Sequence, residues 1–323
     1  MLSITDLSKD EIAQVIKLAC KLKQEKKNNI YQNHLKHKNI ALIFEKGSTR
    51  TRSAIEIAAH NEGADTVYFP PEDKHFQSES IKDAARVLGK MFDGIAFRGF
   101  GQDTVQKLAQ YSGIPVWNAL TDDEHPSQAL VDFMTAQEVL SKPYKEIKFA
   151  FVGNGQDNIA NSLMLAAAKV GMDYTLISPK ELTPHTKILN QAHQLAAQSG
   201  ANIVITDNIE QGIQGADVVT TDVWLSMGES EDIWSSRIKL LHPYQVTMDL
   251  LNKTGNPNTV FTHCLPAFHN LDTEVAQKIY RNFGLSEMEV TDEVFESDRS
   301  IVFNGVENRI YILQAIMDLT IGN

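Results

Sequence analysis

Short apolar runs alternate with helix-like segments along this chain, and that alternation constrains the fold more than any other feature. Residues 40–44, 66–69, 94–97 and 115–117 are such runs, and the pattern restarts at 148–152, 174–177, 203–206, 218–221 and 260–262. A parallel strand buried on both faces reads as a continuous apolar stretch and needs a crossover, usually a helix, before the next strand. The fold class expected is therefore α/β, with two parallel sheets in succession. Ahead of the first run, Ser8 and Glu11 stand in capping-box spacing, and Ile12, Val15, Ile16, Ala19 and Leu22 recur at helical intervals, which predicts a helix over 7–27. Residues 126–140 read as a helix that Pro143 stops, so the domain boundary is placed there, with 1–142 as the first domain and 143–306 as the second. A last helix over 307–321 offers Ile310, Leu313, Ile316, Met317 and Thr320 for one face. Its periodicity does not say which domain it joins.

A length of 323 residues suits two domains, because single cores stop growing near roughly 250–300 residues. No apolar run approaches the ~20 residues of a membrane span, and the first residues lack the basic flank and apolar core of a secretory signal. The cytoplasm is the compartment expected. Cys20 and Cys264 lie far apart and form no metal-binding spacing, so reduced thiols are expected, with neither a disulfide nor a metal centre. A net charge of −11 argues against a nucleic-acid partner, which would need a basic surface.

Candidate chemistry gathers at the ends of the expected strands. Phe44, Glu45, Lys46, Gly47, Ser48, Thr49, Arg50, Thr51, Arg52 follows one strand and opens a helix. Unpaired N–H groups at a helix start, three hydroxyls and two guanidinium forks are suited to an anion such as phosphate. The bland alternative is a hydroxyl N-cap with surface arginines. A Walker-type loop is excluded, since no glycine-rich run ends in Gly-Lys-Ser/Thr. Arg98 ends another strand, where open α/β sheets place ligand contacts, or it is simply exposed there. His125 and Gln128 flank Pro126 at a helix start, with His125 either a ligand or a cap. In the second half, Gly153, Asn154, Gly155, Gln156, Asp157, Asn158 invites a dinucleotide reading. It lacks the third glycine, and Ser178 and Pro179 stand where the acidic residue would be, so nicotinamide binding is discounted. Asp222 to Gly228 and His263 to Pro266 each follow a strand. Cys264 taken alone is more simply a buried, inert thiol.

Together these clusters resemble the transcarbamoylase family over the whole chain, through Ser-Thr-Arg-Thr-Arg at 48–52 and His-Pro-Ser-Gln at 125–128. Asp-x-x-x-Ser-Met-Gly at 222–228 and His-Cys-Leu-Pro at 263–266 are marks of its ornithine branch. The resemblance implies two parallel-sheet α/β domains of the transcarbamoylase type, with the 307–323 helix packing back on the first. It implies carbamoyl phosphate held by Ser48, Thr49, Arg50, Thr51, Arg98, His125, Gln128, Cys264, Leu265 and Arg309. Among these, Arg98, His125 and Cys264 would take catalytic roles. L-Ornithine would be held by Asn158, Asp222, Ser226 and Met227. No metal or organic cofactor is implied. The 70–80 loop is expected to reach a neighbouring subunit, which implies a homotrimer or a multiple of trimers. The loop departs from the family in lacking its usual glycine, leaving Lys74 and Gln77 as alternatives for the crossing side chain. Aspartate or putrescine as acceptor, a non-catalytic homologue and a nicotinamide oxidoreductase are the competing readings.

Overall fold

The computed structural model describes residues 1–73, 79–225 and 231–322. The chain divides into two compact units, one of Met1–Met134 with Glu307–Asn323 and one of Thr135–Val306. The first division falls inside a helix, upstream of the Pro143 boundary expected from sequence.

Unit 1 opens with α1 (Lys9–Lys27). Ser8 Oγ accepts from the Glu11 N–H at 3.2 Å while the Glu11 carboxylate accepts from Ser8 N at 2.7 Å, the reciprocal cap that the Ser-x-x-Glu spacing encodes. The chain then alternates through β1 (Asn39–Phe44), α2 (Thr49–Asn61), β2 (Asp65–Phe69), α3 (Ile81–Met91), β3 (Gly94–Arg98), α4 (Gln102–Ser112), β4 (Val116–Leu120) and α5 (Pro126–Leu140). The four strands are parallel in the order β2-β1-β3-β4. Central strands β1 and β3 are buried almost end to end, whereas edge strand β2 is only partly covered. Ile43, Ile95, Phe97 and Val116 pack with Leu88, Val105 and Leu108 from the helices.

Unit 2 continues with β5 (Lys148–Val152), α6 (Asn158–Val170), β6 (Asp173–Ile177), α7 (Thr186–Ser199), β7 (Ile203–Thr206), α8 (Ile209–Gly212) and β8 (Val218–Thr221). There follow α9 (Trp234–Leu241), α10 (Met248–Lys253), β9 (Val260–His263), α11 (Glu274–Phe283) and α12 (Asp292–Phe295). Its strands are parallel in the order β7-β6-β5-β8-β9. Val152, Ile177, Val219 and Phe261 form its main core with Leu250, Leu251 and Val294.

The last helix, α13 (Val302–Ile321), begins earlier than the periodicity indicated. Residues 311–317 are all buried, while Ile310 is half-buried and Thr320 exposed, so the single apolar face expected for it is replaced by a helix enclosed on most sides. Its unit 1 segment is tied down by polar bonds: Lys23 Nζ to Asn308 Oδ1 at 2.7 Å, Gln314 Nε2 to Glu62 Oε1 at 2.6 Å, and Trp117 Nε1 to Thr320 Oγ1 at 3.1 Å. Among the described residues no helix is long and apolar enough to cross a membrane.

Candidate active site

In an open parallel sheet, a crevice opens at the carboxyl ends of the strands where the winding reverses. The strand orders place those reversals between β1 and β3 in unit 1 and between β5 and β8 in unit 2. The 48–51 turn follows β1 and Arg98 ends β3, while Asn158 and Asp222 follow β5 and β8; His125 and Cys264 follow the next strands outward, β4 and β9.

In unit 1, Phe44 pairs with Arg98 in the β1–β3 register, so the β1–α2 turn and Arg98 leave the sheet side by side. Ser48 caps α2, its hydroxyl accepting from Thr51 N at 3.2 Å. Thr51 is buried, and its Oγ1 accepts from Arg98 Nη1 at 3.3 Å. Thr49 and Arg50 are exposed on the same first turn. Arg52 differs: its guanidinium lies 3.8 Å from the Tyr68 ring centroid and its Nε donates to Glu56 at 2.9 Å. Of the two motif arginines, Arg50 is thus the one on which no neighbour of this kind acts among the described residues.

His125 directly precedes α5, its carbonyl accepting from Gln128 N at 3.0 Å. Its ring is buried. Desolvation first, then the positive charges of Arg309 and Arg98, hold its pKa well below the ordinary histidine value, so the imidazole is neutral near pH 7. Ser127 Oγ lies 3.4 Å from Nδ1. Gln128 is held from both ends, its Oε1 accepting from Arg309 Nη2 and its Nε2 donating to Asp132 Oδ1 at 2.8 Å. Arg309, on α13, joins Arg98, His125 and Gln128 as a buried polar group of this unit.

In unit 2, Gly153 after β5 adopts φ +141, and a Cβ there would press on Thr221 Oγ1 at 3.2 Å. Glycine lets the turn run against β8. Asp157 caps α6 by accepting from Ile159 N at 2.7 Å, so Asn158 is the first helical residue. Ser178 donates to Leu182 O at 3.1 Å and accepts from Gly155 N at 3.1 Å. An internal hydroxyl thus occupies the place a ribose-binding carboxylate would need.

Thr221 and His263 are register partners at the ends of β8 and β9, which brings Asp222 and Cys264 together. Asp222 is buried, and desolvation raises its pKa, with His263, the Val223 N–H at 2.8 Å and the Cys264 thiol acting in the opposite direction. His263 Nδ1 accepts from Leu265 N at 2.9 Å, so the ring proton is on Nε2, which lies 3.6 Å from Glu289 Oε1. Glu289 is fully buried and accepts from Phe268 N at 2.6 Å. Leu265 sits in the left-handed region at φ +63, a conformation that costs a branched residue of order 1 kcal/mol. Its N–H is directed to His263, and its carbonyl accepts from the Cys264 thiol at 3.8 Å.

Sequence reading missed Glu289, because it comes from an irregular segment and no motif contains it. For metal binding it weighed the cysteines only by their spacing. In space, ligand atoms of Asp222, His263 and Cys264 lie within 4.8 Å of one another, as do those of His269, Asp292 and Glu296, and either trio could hold a metal ion. Cys20 and Cys264 are not joined in a disulfide. Ser226 and Met227, and Lys74 and Gln77 of the 70–80 loop, lie outside the described residues.

The arrangement defines a class: a two-unit α/β protein with cationic and neutral donors at the strand ends of one sheet and, at those of the other, a buried carboxylate and imidazole beside a half-buried thiol. Residues 1–138 match the sequence profile of the aspartate/ornithine carbamoyltransferase carbamoyl-P binding domain, and residues 145–320 that of the Asp/Orn binding domain. The ornithine carbamoyltransferase of Limosilactobacillus reuteri is 56% identical over 322 residues, 99% of this chain and 96% of the relative. That of Staphylococcus aureus is 52% identical, covering 99% and 97%. The solved ornithine carbamoyltransferase of Pyrococcus furiosus superposes with a TM-score of 0.90 at 35% identity, covering 99% of this chain and 96% of that one. The chain belongs to the aspartate/ornithine carbamoyltransferase family.

Proposed function

We infer that this chain transfers the carbamoyl group of carbamoyl phosphate to the side-chain amine of L-ornithine, giving L-citrulline and phosphate in arginine metabolism. The observation that carries this reading is the unit 1 cradle, where a capped helix start, Arg98 bonded to Thr51 and an uncharged His125 occur together. Carbamoyl phosphate asks for both functions at once, since it joins a phosphate to a carbonyl that must be polarised. Relatives named for ornithine favour it over aspartate or putrescine as acceptor.

Unit 1 is then the donor domain. Ser48, Thr49, Arg50 and Thr51 bind the phosphate, and Arg98 helps to neutralise it. Thr51, Arg98 and His125 direct donors at the carbonyl oxygen, where preorganised groups stabilise the developing charge. A neutral His125 donates there without adding a third positive charge beside the two arginines. Gln128 and Arg309, with the Cys264 and Leu265 backbone, hold the carbamoyl amide.

Unit 2 is the acceptor domain, with Asp222 pairing the α-ammonium of ornithine and Asn158, Ser226 and Met227 holding its α-carboxylate. The amine must be neutral to attack, which Cys264 favours at the side-chain end. Its lone pair forms the C–N bond and the carbonyl electrons move to oxygen. Collapse of that tetrahedral centre breaks the C–O bond to phosphate, and the amine nitrogen gives up a proton to the departing phosphate. The step is redox-neutral and needs no organic cofactor. Glu289 is a positioning residue, acting on Asp222 and Cys264 through His263. The assembly proposed is a cytoplasmic homotrimer or multiple of trimers, with no nucleic-acid or membrane partner.

An acceptor screen with carbamoyl phosphate and ornithine, putrescine or aspartate tests the reading. Ornithine should give citrulline at the highest kcat/KM, and preferential turnover of either rival would overturn the acceptor assignment.

A further inference from the structure

Three loops carry the anion-facing groups of unit 1, and one lysine touches the other two from the first. Lys46, between β1 and α2, hydrogen-bonds the Asp122 carboxylate between β4 and α5. Its ammonium also lies 4.4 Å from the ring centroid of Phe100, between β3 and α4. The neighbouring Glu45 accepts from Phe100 N at 3.0 Å, and Asp122 N donates to Phe100 O at 2.9 Å. A Cβ at Gly99 would collide with the Glu45 carboxylate and the Phe97 ring, so glycine leaves room for the Glu45 side chain to reach Phe100 N. Each contact point adjoins a donor group: Lys46 comes just before Ser48, Phe100 just after Arg98, and Asp122 just before His125.

We propose that Lys46 is a positioning residue for the phosphate end of the donor, acting through Asp122 and Phe100 to fix the spacing of the three loops. The proposal rests on unit 1 being the carbamoyl phosphate domain. The simpler idea, that Lys46 is only another positive charge near the anion, predicts the opposite sign for its partner. Asp122 would then oppose anion binding, and Asp122→Asn would leave affinity unchanged or raise it. A clamp requires Asp122→Asn to weaken binding as Lys46→Met does. The Lys46 side chain is 13% exposed but that of Asp122 is 60% exposed, so water competes for the pair and the effect is modest, on the order of fivefold.

The test titrates inorganic phosphate calorimetrically into the wild type, Lys46→Met, Asp122→Asn and the double variant, with steady-state kinetics alongside. Both single variants should bind phosphate on the order of fivefold more weakly, and the double variant no more weakly than the worse single one. The KM for carbamoyl phosphate should rise and kcat should fall, because Arg98 and His125 shift with their loops. Lys46→Arg, which can still reach Asp122 and stack on Phe100, should restore most of both. Phosphate binding by Asp122→Asn at wild-type strength or tighter overturns the clamp, as does an additive double variant. If Lys46→Met does not fold, the sign of the Asp122→Asn effect decides alone. A wild type that binds phosphate but turns over no carbamoyl phosphate would sink the assigned reaction, while the titrations would still decide the clamp.

Discussion

In unit 1 the buried side chains of Arg98, Arg309 and His125 are cationic or neutral, with a carboxylate, Asp132, only behind Gln128, whereas beyond β8 and β9 in unit 2 the buried groups include two acids, Asp222 and Glu289 behind His263. The backbone device is the same in both, a parallel sheet whose strand ends diverge. The sign of the ligand each can hold is set by a few side chains at those ends. Histidine shows it most directly: arginines surround His125 and help to keep it uncharged, while His263 stands between two carboxylates. Burial acts on both units with opposite consequences, lowering the pKa of His125 and raising that of Asp222, so in each it favours the uncharged form.

The largest expected effect is that of Asp222→Asn, which keeps the shape and removes the counter-charge for the ornithine α-ammonium. Loss of about 2–5 kcal/mol in kcat/KM for ornithine follows from truncating one partner of a buried ion pair. Donor titration on the free enzyme should change little, and a loss of donor binding at full ornithine turnover would reverse the assignment of the two units. The same variant should not melt lower at pH 7. A folded-state pKa raised above the unfolded value means that the folded protein binds the proton more tightly, so stability falls as pH rises through that range. Removing the charge relieves that penalty, and a clear drop in the melting temperature would show that the carboxylate stabilises the fold instead.

Arg50→Ala should cost roughly 1.5–3 kcal/mol for each charge-assisted bond it makes to phosphate. Calorimetric titration of the donor measures it, and unchanged affinity in a folded variant places the phosphate elsewhere. Arg52→Ala is the control, because Arg52 is held by Glu56 and Tyr68. Glu289→Gln retains an acceptor for Phe268 N but removes the charge facing His263. A decrease of about 1 kcal/mol in ornithine kcat/KM is expected, with phosphate binding unaltered; a matching loss of phosphate affinity would mean that the variant disturbs more than unit 2.

The smallest effect concerns the His34–Asp318 pair at 2.9 Å, which binds the last helix to the loop after α1. The Asp318 hydrogen bond raises the pKa of His34. Its stabilisation is therefore fully present below the unfolded histidine value and is lost as pH rises through the folded one. Asp318→Asn should lower stability at pH 5.5 by a few tenths of a kcal/mol, the size of a half-exposed pair, and leave it unchanged at pH 8.5. Equal destabilisation at both pH values would assign the contact to packing.

The strands were legible because buried parallel strands leave little but apolar residues between turns. β7 and β8 match the expected runs residue for residue, while β4 extends past Trp117 to Leu120. Asn118 hid that extension, since it looks like a turn residue, yet it is buried and donates to Leu2 O at 2.9 Å. The start of α13 was missed for a related reason. Phe303 is 64% exposed and Val306 37%, so its first turn carries apolar residues outward and breaks the amphipathic pattern. The candidate site was legible where a motif spans a single turn, as at 48–52 and 125–128. Partners distant in sequence were not, such as Glu289 for His263 or Asp132 at the far end of Gln128. Asp122 and Phe100 are linked to Lys46 only by the meeting of three loops, which no local pattern encodes.

The return of residues 307–323 to unit 1 also sets an order of events during synthesis. Lys23, Glu62 and Gln128 find partners at Asn308, Gln314 and Arg309, which leave the ribosome only after the whole of 135–306. Unit 2 is continuous and can fold as it emerges, since domains generally fold as units during translation. Unit 1 must wait with Glu62 and Lys23 lacking those partners until the last helix closes a loop that runs through the other unit. Closing so long a loop costs little more free energy than closing a short one, because the entropy grows only logarithmically with length. The penalty falls on time instead, and a nascent chain stalled before residue 307 would hold the second sheet complete and the first without its final helix.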